Sequence, residues 1–357
     1  MRTVPRLLFA AAAIFAACWV AAASQRQGTT PAARPPRPSP PTQTIGNVLT
    51  RRLDFNRFKS NIQKLAGFGT RFYSTKGNAD ARNWLQAELE SYGYKVERHR
   101  FSVGNTEVDS VYVTKIGTRY PDKMYIVSGH MDSNNYDSPD RSFAPGANDD
   151  ASGSSIVLEA ARVFAGSDVK TEYSIRFILW NAEEQGMVGS SAYVRDRRGS
   201  QGVEAPRGSG VYPEPSWMGM IQHDMMMFDH GLPPGDRQIP LADVDIEYTA
   251  SDTFDGKAIE LANFFLKANA QYATDYPAQI GDAMQGTDSV PFAPYTPAIS
   301  LRENRRGAEI GSGSNPHHHR STDVYESYRD EDFRLGFNAL QTTVGALSEL
   351  AVMSGPR

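Results

Sequence analysis

Three short apolar runs, KMYIVSG, SIRFILW and WMGMIQH, each give out abruptly onto ionisable side chains. The first leads into His130 and Asp132, the second into Asn181-Ala182-Glu183-Glu184, and the third into Asp224. Short apolar runs of this kind read as buried strands, and the stretches between them carry helical patterns. Strands interleaved with helices imply an α/β fold: a mostly parallel, twisted central sheet with helices on both faces. In open sheets of this class the carboxyl ends of the strands share one edge, and sites form there.

The remaining pattern agrees with this class. Ala81, Trp84, Leu85, Leu89 and Tyr92 repeat at helical spacing, with Gly93 placed to end that helix. Strands are expected over 95–103, 110–116, 124–128, 173–180, 218–222, 244–249 and 298–301. Helices are expected over 154–164, 189–194 and 257–268, followed by one carrying Phe333, Phe337, Leu340, Val344 and Leu347. The stretch 195–216, rich in Gly, Pro and Arg, reads as a surface loop. We expect a single folded domain over 47–357.

Two segments precede that domain. Arg2 and Arg6 stand before an apolar run, 7–23, that ends in small residues at Ala21-Ala22-Ala23-Ser24. This is the make-up of a secretory signal peptide over 1–23, and it is somewhat short for a membrane span. Residues 24–46, with PAARPPRPSPP, form a proline-rich linker. The single cysteine, Cys18, sits in Phe15-Ala16-Ala17-Cys18, which weakly resembles a lipoprotein box. The expected location is therefore secreted or periplasmic, with lipidation at Cys18 as the alternative to cleavage after Ala23 and no stable membrane span in the mature form. A mature chain without cysteine has no disulfides and depends on its core, or on metal. With 40% hydrophobic residues in 357, a large core is available, and a net charge of −4 gives no basis for nucleic-acid binding.

The stretch APGANDDASG places Asp149 and Asp150 in the loop after the His130 strand. Helix capping accounts for one carboxylate there and leaves the other unexplained. Later, His319 arrives in Asn315-Pro316-His317-His318-His319, with Asp323 four residues on. Carboxylates and imidazoles delivered to one sheet edge need a cation, since bare carboxylates repel or take up protons. Histidine, aspartate and glutamate without cysteine suit zinc in a hydrolytic site, ahead of cobalt or manganese. One open zinc site takes three protein ligands, whereas His130, Asp149, Glu184, Asp224 and His319 make five. Two zinc ions, three ligands each, use all five if Asp149 is shared; Asp150 then holds the turn, and the glycines let the backbone bend close.

In order and local context these residues resemble family 28 of the zinc metallopeptidases, the di-zinc exopeptidases that include secreted bacterial leucyl-type aminopeptidases. The resemblance rests on Gly129-His130-Met131-Asp132-Ser133, Gly146-Ala147-Asn148-Asp149-Asp150-Ala151-Ser152-Gly153 and Asn181-Ala182-Glu183-Glu184-Gln185-Gly186. It continues with His223-Asp224-Met225 and closes with Asn315-Pro316 leading to His319 and Asp323. It implies one zinc on Asp149, Glu184 and His319 and another on His130, Asp149 and Asp224; His319 is chosen for its four-residue spacing to Asp323, with His317 and His318 as the alternatives. It also implies Glu183 as a catalytic glutamate that binds no metal, Asp132 as the carboxylate orienting the His130 ring, and a cis peptide at Asp149–Asp150. Where some members carry a carbonyl-polarising tyrosine, this chain has Met284, with Tyr295 as a nearby candidate.

The resulting expectation is an aminopeptidase acting on peptide substrates, with metal-activated water and Glu183 as general base. Glutaminyl cyclases share the fold with one zinc, and carboxypeptidases occur on it with a cation for the substrate carboxylate. Arg302, Arg305 and Arg306 are the candidates for that cation. A non-catalytic binding protein on the same scaffold would have lost ligands, and none of the five is missing.

Overall fold

The computed structural model describes residues 44–228, 244–248, 254–281, 285–303 and 315–352. The expected leader, 1–23, and the expected linker up to residue 43 lie outside them, as do Met284, Arg305 and Arg306. The described chain belongs to one compact unit that starts at Gln43.

In chain order the elements are α1 (Ile45–Thr50), α2 (Phe55–Ala66), α3 (Lys76–Ser91), β1 (Glu97–Val103), β2 (Thr106–Lys115) and β3 (Tyr120–His130). There follow α4 (Ala151–Phe164), β4 (Tyr173–Trp180), α5 (Val188–Arg197), β5 (Ser216–His223) and β6 (Val244–Tyr248). The last are α6 (Asp255–Tyr272), β7 (Ala278–Ile280), β8 (Ala298–Glu303) and α7 (Asp330–Ala351). The strands form one sheet in the order β1-β2-β4-β3-β5-β8-β6-β7. Its four central strands, β4, β3, β5 and β8, are mutually parallel. β1, β2 and β6 join antiparallel neighbours, and β7 adds parallel to β6. The parallel centre puts the ends of β3, β4 and β5 side by side, in register at His130 and Trp180 and at Ser128 and Gln222.

Alternation along the strands builds two cores, because successive side chains point to opposite faces. Tyr125 and Val127 of β3, with Ile175, Phe177 and Leu179 of β4, enter the larger one, beneath α2, α3, α4, α6 and α7. Met124 and Ile126, with Ile178 and Trp180, enter the smaller one, packed by Tyr193 and Val194 of α5 and by Trp217 and Phe292. Both faces are covered, as the near-continuous apolar runs require.

Local chemistry sets the helix boundaries. α4 begins at Ala151, three residues before the periodic run, because the Asp150 side chain accepts the Gly153 N–H at 2.8 Å and caps the helix. α1 begins at Ile45, inside the stretch read as linker, with the Thr44 hydroxyl accepting the Asn47 N–H at 3.2 Å. α2 was not anticipated, although Phe58, Ile62 and Leu65 are fully buried along one side of it. At roughly 1.5–3 kcal/mol for each such side chain, that burial dominates its stability. The three-residue β7 had no pattern to announce it. Among the described residues no helix is long and apolar enough to cross a membrane.

Candidate metal centre

The ends of β3, β4 and β5 converge, and two loops close over them. His130 is the last residue of β3, Glu183 and Glu184 lie just past β4, and Asp224 follows β5. Asp149 comes from the loop ahead of α4, and His318 and His319 from the turn ahead of α7. Asp149, Glu183, Glu184, Asp224, His318 and His319 line one cleft of about 220 Å³, together with Gly186, Met187, Met225 and Gly286.

Asp149 is the hub. Its Oδ1 lies 3.2 Å from His130 Nε2, and its Oδ2 lies 3.1 Å from His319 Nε2. His319 Nε2 is also 2.8 Å from Glu184 Oε2, and His130 Nε2 is 3.9 Å from Asp224 Oδ1. Ligand atoms of His130, Asp149 and Glu184 fall within 4.8 Å of one another, as do those of Asp149, His318 and His319. All five residues expected as ligands are therefore brought together, with Glu183 4.0 Å from His130 Nε2. Donors about 2.0–2.1 Å from a tetrahedral zinc stand about 3.3 Å apart, which is the spacing seen on both sides of Asp149.

The electrostatics point the same way. Burial, then the neighbouring Asp149, pushes Glu184 up to about 7. Burial, then Asp288, Asp224 and Glu184, drives Glu183 well above the carboxylate range against the pull of His130. Asp149 is the exception: burial would raise it, but His130, His318 and His319 hold it well below. His319, despite burial, is carried up to about 11 by Asp149 and Glu184. Carboxylates pressed together until some favour their protonated form, with Glu184 Oε1 buried and unpartnered, suit a divalent cation.

Around the hub, the frame is made of main-chain bonds to buried carboxylates. The Asp150 carboxylate accepts N–H groups from His130 (3.0 Å), Gly153 (2.8 Å) and Met225 (3.3 Å), tying β3, α4 and the end of β5 together. The Asp149–Asp150 peptide is cis. Asp132 accepts the N–H groups of Glu183 (3.1 Å) and Glu184 (3.2 Å), and its Oδ1 stands 3.6 Å from His130 Nδ1. A Cβ at Gly153 would come within 2.4 Å of the His223 carbonyl, so only glycine lets α4 approach β5 here. Ala182, Met187, Met225 and His319 all have left-handed backbone, with φ from 55° to 59°. At roughly 1–3 kcal/mol each, such conformations persist only where the surroundings enforce them, and all four adjoin the cleft.

Several partners were not foreseen. Arg71 is fully buried and donates to the carbonyls of Met131 (2.8 Å), Gly146 (2.9 Å) and Pro145. Its partners lie 60 to 75 residues away, and nothing in GTRFYS marks it. Asp288 is also buried, accepting from the Ser190 hydroxyl at 2.5 Å. Two expectations are corrected. The Tyr295 hydroxyl meets Arg198 and does not line the cleft. Arg302 is buried with its guanidinium 2.7 Å from Asp224 Oδ2, so it is committed to the cluster and does not await a substrate carboxylate.

The profile of Peptidase family M28 matches residues 111–334, well over half of the chain. A probable zinc metalloprotease of Pyricularia oryzae is 32% identical over 198 residues, which take in 44% of this chain and 38% of that relative. The chain thus matches well under half of that relative's length. The fold is similar to that of the LapA aminopeptidase of Legionella pneumophila (TM-score 0.64, 22% identity, 86% of this chain and 75% of that one). It is similar also to a glutaminyl cyclase of Bacteroides thetaiotaomicron (TM-score 0.60, 19% identity, 82% of this chain and 97% of that one).

Proposed function

The chain belongs to peptidase family M28, and from that premise we propose that it is a di-zinc aminopeptidase, removing residues from the free N-termini of peptides. The observation that carries this reading is the sharing of Asp149: its two oxygens face different imidazoles at 3.2 and 3.1 Å. On this reading one zinc is held by Asp149, Glu184 and His319, and the other by Asp149, His130 and Asp224. Zinc so held supplies Lewis acidity, acidifying water and polarising the scissile carbonyl.

The chain's own groups do the rest. Glu183 is 12% exposed, opens on the cleft and has a raised affinity for protons, which suits a group that takes a proton from water and returns it to the leaving amine. Asp132 holds the backbone of both glutamates and faces the free side of the His130 ring, fixing base and ligands in one frame. Arg302 neutralises the outer oxygen of Asp224, leaving Oδ1 towards His130.

Cyclase and aminopeptidase share this architecture, so the residues must separate them. A complete five-residue set favours two ions and hydrolysis over a single-ion acyl transfer. The commitment of Arg302 to Asp224 weighs against a carboxypeptidase. The composition of residues 1–23 supports export as part of the same proposal. The test is a free-amine peptide assayed beside its N-acetylated and C-amidated twins, with metal content per chain. Cleavage of the free-amine and C-amidated forms alone, with two zincs bound, is the expected result. Cleavage of the N-acetylated peptide, or a single zinc with cyclisation, would overturn it.

A further inference from the structure

His318 belongs to neither of the ligand sets above, yet its Nε2 lies 3.3 Å from Asp149 Oδ2, the oxygen that also faces His319 at 3.1 Å. The two imidazole centroids are 3.9 Å apart, tilted by 37°. Neighbouring residues rarely aim side chains at one atom. Here the left-handed backbone of His319, φ 55°, turns the chain so that both rings face the same carboxylate. The third member of the run, His317, faces away: its Nδ1 is 2.9 Å from the Thr322 hydroxyl, and its ring meets Phe228 and Tyr328. His318 lines the cleft with 31% of its side chain exposed, so packing does not account for its direction.

The spacing has a definite meaning in coordination chemistry. Donors on a tetrahedral zinc are about 3.3 Å apart, and His318 stands at that distance from an oxygen already assigned to the ion beside Glu184. We infer that His318 is a fourth protein ligand of that ion, joining Asp149, Glu184 and His319. This rests on the metal-binding reading above and deepens it, because the two positions become unequal. The one beside Glu184 is filled by protein donors, while the one held by His130, Asp149 and Asp224 keeps room for a ligand from solution.

The experiment uses cobalt(II), whose visible absorption reports coordination number. Chelator-treated full-length protein, His318→Ala and His317→Ala are each titrated calorimetrically with cobalt(II). Thermal melts of the metal-free proteins serve as the folding control. In His318→Ala one binding step weakens at least about tenfold, and the visible band changes, with an unaltered metal-free melt. His317→Ala leaves both unchanged. A second variant, His318→Cys, places a thiol at the same position. If that side chain reaches the ion, a thiolate-to-cobalt charge-transfer band absent from the wild type appears in the near ultraviolet. Unchanged affinity in His318→Ala, with no such band in His318→Cys, would overturn the inference. Uptake of one ion by the wild type would sink the paired-ion reading but leave His318 to be judged on that ion, and uptake of none would sink both.

Discussion

The carboxylate of Asp323 accepts the main-chain N–H of Asp149 at 3.0 Å, across 174 residues of sequence. Its other oxygen accepts the N–H of Asn148 at 2.9 Å and the Tyr328 hydroxyl at 2.7 Å. Asp149 is thus positioned through its backbone, and both of its side-chain oxygens remain for the imidazoles on either side. The four-residue interval from His319 to Asp323 has a physical purpose. One turn supplies both a candidate ligand and the clamp for the carboxylate opposite it.

A shared carboxylate and an unshared one must respond differently to truncation. Asp149→Ala removes a donor from both positions, and the dialysed protein should retain neither zinc at stoichiometric level. Asp224→Ala removes a donor from one, and close to one zinc per chain should remain. Metal analysis of the two variants side by side checks this, and equal losses would disprove the sharing.

Glu183→Gln keeps the shape and the backbone bonds to Asp132 but cannot accept a proton. We expect two zincs, an unchanged melting temperature and a kcat lower by about 100- to 10,000-fold. A near-normal rate on an aminoacyl-amide substrate would remove Glu183 from the mechanism.

Arg71→Met deletes a buried guanidinium and strands the carbonyls of Met131 and Pro145, at either end of the loop that presents Asp149, while the Gly146 carbonyl keeps the Ala151 N–H at 3.1 Å. Each buried acceptor left bare costs about 1–3 kcal/mol, so a loss of stability above about 2 kcal/mol is expected in urea unfolding of the metal-free protein. A loss below about 1 kcal/mol would show that water replaces the guanidinium at the two stranded carbonyls.

His223 should contribute one component of the acid limb of the stability curve. It is fully buried, with Nδ1 donating to the Ser128 carbonyl at 3.0 Å and Nε2 accepting from Thr343 at 2.8 Å. Burial lowers its pKa to about 4, against the opposing bond to Ser128. The unfolded chain protonates near 6.5, so its contribution is intact above that pH. Between about 6.5 and 4 only the unfolded state gains the proton, and stability falls by about 3 kcal/mol in all. His223→Gln should remove this component of the slope in chelator. An identical slope in the two proteins would assign the acid limb to other groups.

The sequence showed most of the site because chemistry is concentrated where apolar runs stop. His130 ends its strand and Glu183, Glu184 and Asp224 follow theirs, and parallel pairing brings these strand ends to one edge. Arg71 escaped notice, and Arg302 was given the wrong partner, because their contacts are distant in sequence and a charged residue inside a strand or loop carries no periodic signature. Tyr295 was chosen for proximity in the chain alone, and its neighbour proved to be Arg198. α2 was missed despite a legible pattern, whereas β7 and the antiparallel edges depend on long-range pairing that no local run encodes.

The turn that delivers His318 and His319 comes late in the chain, after all eight of the described strands have been laid down. A nascent polypeptide emerging from the ribosome can therefore build the whole sheet before it owns a complete set of donors. Until synthesis passes Asp323, the growing chain lacks both the imidazoles of this turn and the carboxylate that clamps Asp149 in place.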